Sequence, residues 1–235
     1  MTMLTAIQYV CRRTNIPVPS TVYGSTDPQI LQLMALLEEE GNDLAKRGDW
    51  QAITFEATHT TTAAENQGAI TTIASNGFRK IKNNTIWDRT LRLPVFVLSG
   101  TEWQARKAVS VTGPRYQARI RGGNLIVNPT PTAGHIWAFE YVSKNWILDN
   151  DGTTYKQYFT EDTDTMLLPE DILIMGLRWR WKKEKGFDYA EDFRTYEVVV
   201  KEALGGDGMS KNLNMSNYCD GYSPGVIVPS GDWFQ

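Results

Sequence analysis

The spacing of hydrophobic residues changes twice along this chain, and no other feature constrains its fold as much. Near the N-terminus Leu4, Ile7, Cys11 and Thr14 recur at steps of three and four and stop before Ile16-Pro17, which predicts a helix over residues 4–14. A second helix opens on Asp27-Pro28, an N-capping acid followed by proline at the first helical position. Its stripe runs through Ile30, Leu33, Met34, Leu37, Gly41 and Leu44, and Lys46, Arg47 and Gly48 close it. Gly41 offers a place for another helix to approach, and Glu38, Glu39 and Glu40 read as a solvated face.

From Gln51 to Thr165 the spacing falls to two. Residues 53–56, 68–73 and 115–121 are short, rich in Thr, Ile and aromatics, and bounded by Gly, Asn or Pro, as strands are. Residues 116–121 alternate apolar and polar, and Gly122-Gly123 turns them back into 124–128 as a hairpin. In a third strand, 134–144, Trp137, Phe139 and Tyr141 share one face. Thr101 and Gln104 predict a capping box around Trp103 on a short helix. Without a long crossover helix, the strands are expected to pair antiparallel.

Helices return at Pro169, with Ile172, Met175, Gly176 and Trp179 as the stripe and Lys182, Lys183 and Lys185 before Gly186. Another begins at Asp188 with an acidic capping box at Glu191, carries Tyr189, Phe193, Tyr196, Val200 and Leu204, and ends at Gly205-Gly206. The two should form an antiparallel hairpin around a two-residue corner. Beyond Gly206 the periodicity is lost, although Tyr218, Tyr222, Val226-Ile227-Val228 and Trp233-Phe234 remain. That pattern fits a tail that orders on a partner or folds back over its own domain. The expected fold class is α+β: a helical bundle from residues 1–50 and 168–205, a β-rich insertion over 51–167 and an extended tail over 206–235.

Chemistry is constrained mainly by what is missing. His59 and His135 stand without a second ligand at metal spacing, and Asp149-Asn150-Asp151-Gly152 fails as a calcium loop because Ile147 and Tyr158 occupy ligand positions. No nucleophile elbow, Walker loop or dinucleotide fingerprint occurs, so no catalytic residue, metal site or cofactor is assigned. Cys11 and Cys219 build no disulfide framework and point to a reducing compartment. No apolar run approaches the roughly 20 residues of a membrane span. Arg12 and Arg13 follow the apolar N-terminal residues, the reverse of a signal peptide, so a soluble, intracellularly made protein is expected. With 24 basic against 27 acidic residues, the chain is not built to grip nucleic acid over its whole surface.

Three blocks resemble the head-to-tail adaptor (tail tubular or tail accessory) proteins of short-tailed bacteriophages. They are Gly24-Ser25-Thr26-Asp27-Pro28 through Gly48-Asp49-Trp50-Gln51; Thr85-Ile86-Trp87-Asp88-Arg89-Thr90 followed by Thr101-Glu102-Trp103-Gln104-Ala105; and Leu168-Pro169-Glu170-Asp171 through Asp192. The resemblance implies a non-enzymatic virion protein at the head–tail junction, made in the bacterial host cytoplasm. It also implies a ring, usually dodecameric, beneath the portal protein, with tail nozzle or tail fibre proteins as further partners. Double-stranded DNA would pass without specific binding, because a slightly acidic lumen repels phosphate. The candidate interface residues are Trp87, Arg89, Trp103, Arg178, Trp181, Lys182 and Lys183, with Tyr218, Tyr222, Trp233 and Phe234 in the tail. Core packing competes for each tryptophan, and a cation-dressed helix end competes for the basic cluster. A rival reading is a carbohydrate-binding module of a phage tail or secreted enzyme, with Trp137, Trp146 and Tyr155 as an aromatic platform.

Overall fold

The computed structural model describes residues 1–109, 113 and 115–208; Tyr218, Tyr222, Trp233, Phe234 and the rest of the expected tail from 209 onward lie outside the described residues. The chain is α+β. Along it run α1 (Met3–Thr14), α2 (Pro28–Arg47), a 3₁₀ turn (Gln51–Ile53), β1 (Thr54–Thr60), β2 (Asn66–Ala69), the one-turn α3 (Ile70–Ile73), β3 (Phe78–Ile81), β4 (Trp87–Asp88), β5 (Leu93–Pro94) and β6 (Phe96–Val97). There follow α4 (Gly100–Ala108), β7 (Gln117–Arg121), β8 (Asn124–Asn128), β9 (Ile136–Ser143), β10 (Ile147–Leu148), β11 (Tyr155–Lys156), β12 (Thr165–Met166), α5 (Glu170–Glu184) and α6 (Ala190–Asp207).

Two compact units divide these elements, and the chain passes between them at 54–55 and 141–142. In the helical unit, α1, α2, α5 and α6 share a core that includes Ile7, Leu33, Leu37, Leu44, Leu173, Leu177 and Tyr196. Val142, Trp146, Ile147, Phe159 and Met166 belong to that same core. The insertion expected to end at 167 therefore ends at 141. Residues 142–167, with the small sheet β11-β10-β12, are part of the helical unit. The reason is packing: the Trp146 indole lies on Gly41, where an added Cβ would meet the ring at 2.1 Å. Gly41 thus admits a tryptophan rather than a helix, and the Trp146 Nε1–H donates to Asn42 Oδ1 at 3.2 Å.

Helix α2 begins as read, with the Asp27 carboxylate accepting the Gln29 N–H at 2.9 Å. Gly48 follows it in extended backbone, at φ −152°, so left-handed capping is not its role. It is small because Leu204 of α6 fills the space a Cβ would take, 2.1 Å away. Helix α6 starts at Ala190, two residues later than expected, with Asp188 Oδ1 accepting its N–H at 3.1 Å. The helix then continues through Gly205-Gly206 to Asp207, whose carboxylate accepts the Gln51 N–H at 2.7 Å.

Glu40 overturns its assignment to a solvated face. Its side chain is fully buried, with Oε2 accepting from Arg180 Nε at 2.6 Å and Oε1 accepting from the Tyr196 hydroxyl. Arg180 reaches outward from there to Glu39 and, at 3.1 Å, to Asp43. Burial pushes the Glu40 carboxyl up, against the pull of Tyr196 and Arg180. Burial works against the Arg180 charge too, but Glu40, Glu39 and Asp43 outweigh it and hold the guanidinium more firmly protonated. Gly176 on α5 makes the approach possible, since a Cβ there would lie 2.2 Å from Glu40 Cδ.

Helices α5 and α6 also meet through Asp192, which takes both Arg178 and Lys182, and through Trp179, whose ring lies 5.0 Å from Phe193 and 6.0 Å from Tyr196. This is the antiparallel hairpin that was read, though its corner spans Lys185–Tyr189 rather than two residues.

The β unit has its own core, in which Trp137, Phe139 and Tyr141 of β9 pack with Ala57, Ile70, Val95, Ala118, Leu125 and Val127. One sheet runs β1-β9-β4-β5, with β3 also on β9; the other runs β2-β8-β7-β6. The β7–β8 hairpin pairs Arg121 with Asn124 and Gln117 with Asn128, around Gly122 and Gly123 at φ +57° and +77°. Those angles are the left-handed pair a two-residue turn demands. Two expectations fail. Residues 70–73 form a helical turn rather than a strand, after Gly68 at φ +105°. Strand β6 pairs parallel to β7, because α4 and its flanking residues provide a crossover of the length a parallel pair needs.

Three outcomes follow for stability. Glu40→Ala should cost about 3–5 kcal/mol in denaturant melts, as expected when a buried pair loses one partner. Gly176→Ala, which drives a methyl into that carboxylate, should cost about 1–3 kcal/mol. Burial raises the Asp192 carboxyl, but Lys182 and Arg178 outweigh it and hold it below its ordinary value. Its contribution is therefore complete above about pH 4 and lost as pH falls through its lower folded-state value. The stability gap between the native chain and Asp192→Asn should be widest near neutral pH and shrink on acidification, measured by urea melts across pH.

Candidate functional site

The segment Thr85–Thr90 positions a groove on the surface of the β unit. Strand alternation sends Asp88 inward and Trp87 and Arg89 outward. Asp88 is fully buried and fully occupied: Oδ1 accepts the Thr90 and Leu91 N–H groups, both at 2.9 Å, and Oδ2 accepts the Trp137 indole N–H at 3.0 Å. His135 Nδ1 stands 3.0 Å from the same oxygen, so this histidine orders a turn. Thr85 Oγ1 accepts the Glu140 N–H at 3.2 Å and Thr90 Oγ1 the Ile136 N–H at 2.9 Å, fastening both ends of the segment to β9.

On the outer side lies a groove of about 300 Å³ lined by Asn84, Thr85, Trp87, Arg89, Glu56 and Glu140, among others. Trp87 is half-buried in it, and Arg89 pairs with Glu56 at 2.9 Å with both side chains half exposed. Among these lining groups are neither a nucleophile nor a convergent metal set. The arrangement offers one aromatic face framed by paired charges, which suits contact with a protein surface.

Other residues singled out from sequence fare differently. Trp103 is 1 % exposed, so it is a core side chain beneath Lys107, whose Nζ lies 5.8 Å from the ring centre. The capping box of its helix is Ser99 with Glu102, two residues before the expected Thr101 and Gln104. Arg178 and Lys182 are both engaged by Asp192, while Lys183 stays exposed. Trp181 is 9 % exposed and stacks on Phe187 at 5.7 Å; its buried indole N–H has no acceptor among the described residues. Trp137 and Trp146 are fully buried in different cores, which removes the aromatic platform on which the carbohydrate reading depended. His59 Nε2 lies 3.3 Å from Gln67 Oε1, within its own turn.

A second groove, of about 550 Å³, went unread. It lies between α4 and the β6–β7 edge, with Phe96, Val97, Leu98, Arg106, Arg115 and Gln117 among its lining. The alternation Gln117/Arg119/Arg121 against Ala118/Ile120 was its visible signal, since the apolar set faces the core and the arginines must then share the opposite face.

The buried reactive groups of the helical unit are enclosed or engaged. Burial pushes the Cys11 thiol up, and the side chain is inaccessible. The Glu40 oxygens are taken by Arg180 and Tyr196. Among the described residues no three His, Cys, Asp or Glu side chains converge on a metal-sized site, and no helix is long and apolar enough to cross a membrane.

Comparison with curated proteins finds no match. A family model described as SU10 adaptor protein does match, over residues 1–210, which takes in both units and every described groove. The chain therefore belongs to the SU10 adaptor protein family, a family of phage adaptor structural proteins.

Proposed function

We propose that this adaptor forms a closed ring between the portal and the tail of a short-tailed phage, and that DNA leaves the head through it. The match over residues 1–210 carries the reading. Geometry supports it in two ways. A closed ring needs two different patches on each subunit, and the chain supplies two units with separate cores. The Trp87–Arg89 groove is a framed aromatic surface of the kind that anchors protein contacts.

In this reading the protein transforms no molecule. Its work is to hold neighbouring copies and the portal in register around a passage, with no strong grip on the DNA inside. Residues 209–235 attach the ring to the portal or to an adjacent subunit, and the Trp87 surface meets a neighbour or a tail protein. The ring is dodecameric, in keeping with the order usual among the adaptors it resembles.

The free chain should run as a monomer or weakly associated species by native mass spectrometry and should assemble into a ring when purified portal is added. A stable ring without portal, or no ring with it, contradicts this. Removing residues 209–235 should leave the melting temperature of the free chain nearly unchanged, because Asp207 still receives the Gln51 N–H, while lowering the amount retained on portal.

A further inference from the structure

The net charge of the chain conceals a separation. Residues 55–141 hold ten Lys and Arg against five Asp and Glu, whereas residues 1–54 and 142–208 hold 13 against 20. Within the β unit Lys82, Arg89 and Lys107 are matched by Glu140, Glu56 and Glu65. Arg106, Arg115, Arg119 and Arg121 have no carboxylate partner among the described residues. They gather around one face. Arg106 and Arg115 line the larger groove, Arg115 lies 5.9 Å over the Phe96 ring, and Arg119 and Arg121 follow Gln117 on the same side of β7. A Cβ on Gly100 would come within 3.1 Å of the Arg119 guanidinium, which places that side chain against the start of α4.

Elsewhere in the chain lies the matching surface. The excursion 149–171, which carries β11 and β12, holds seven carboxylates and one lysine, Lys156. Lys156 is consumed by Asp149 and Asp164 and Glu170 pairs with the Met1 ammonium, leaving Asp151, Glu161 and Asp171 exposed. Tyr158, 57 % exposed, lies in the same excursion, and Tyr23, 50 % exposed, is held to it by its N–H donating to Asp162 at 2.7 Å. Guanidinium planes bind carboxylates in a fork and stack on tyrosine rings, so this is the surface chemistry that an arginine face selects.

We propose that the arginine face of one copy docks on the acidic 149–171 excursion of the next copy, an inference that rests on the ring reading and assigns its two patches. A protein partner is favoured over duplex DNA because exposed Val97 and the Phe96 ring form part of the groove and Glu102 sits at its wall. Apolar contacts suit a protein interface, whereas a carboxylate at the wall interrupts the unbroken positive charge on which a phosphate-binding surface depends.

The test uses two charge-reversed full-length chains, Arg115→Glu/Arg119→Glu and Glu161→Lys/Asp171→Lys, each mixed with purified portal and counted by native mass spectrometry. Each alone should lose ring assembly roughly tenfold or more, since like charges then face each other, and an equal mixture of the two should recover it in part through the restored pairs. Recovery in the mixture also shows that both variants fold. Rings from either variant alone at native yield overturn this inference and leave the ring reading intact, as does an arginine reversal whose only effect is lost retention of duplex DNA. Failure of a folded mixture to recover also overturns it. No ring from the native chain with portal removes the ring reading and this inference together.

Discussion

One buried carboxylate governs the helical unit. Glu40 is surrounded by α2, α5 and α6, and the removal of its charge from water is a cost that only well-placed donors can offset. Both oxygens have such donors, and the geometry allows little slack. Gly176 must lack a side chain, Arg180 must stand one turn further along α5, and Tyr196 must reach in from α6. A slip of one residue along any of these helices would orphan the charge, a penalty added to the lost apolar packing. Glu39 and Asp43, at the solvent edge, extend the same guanidinium's contacts outward.

Local signals were legible in the sequence, and long-range ones were not. Asp27-Pro28 announced the start of α2, and Gly122-Gly123 with its flanking alternation gave the β7–β8 hairpin, because each rests on the conformations of a few adjacent residues. Apart from the capping box of α4 and residues 70–73, which are local misplacements, the errors share an opposite cause. Glu40 looks like its neighbours Glu38 and Glu39 until Arg180, 140 residues away, is brought beside it. Gly41 and Gly48 were seen as small residues with a reason, but Trp146 and Leu204 supply reasons that no window around them contains. Residues 142–167 read as part of the β insertion and carry three two-residue strands, yet they join the helices because Trp146 belongs to that core.

The candidate surfaces show the same division. Tryptophan is equally at home in a core and at an interface, so Trp87 and Trp103 were indistinguishable until burial separated them: Trp87 flanks a groove, Trp103 is enclosed. Charges are harder still to place by inspection, because a cation's meaning depends on its partner. Arg178 and Lys182 lie in the densest basic run and are engaged by Asp192, while the arginines of β7 sit in an unremarkable strand and lack an acid among the described residues. Summing charge over the whole chain averages these surfaces away; summing it within each unit recovers them.

The two hydrophobic cores close on separate sets of side chains, and the chain joins their units at 54–55 and 141–142. Substitutions far apart and without shared partners combine additively, so a change tolerated inside one core does not alter which changes the other accepts. Inheritance can act on such a layout in blocks. Sequence can diverge within residues 55–141 without repacking the core of the helices, which closes on side chains outside that segment.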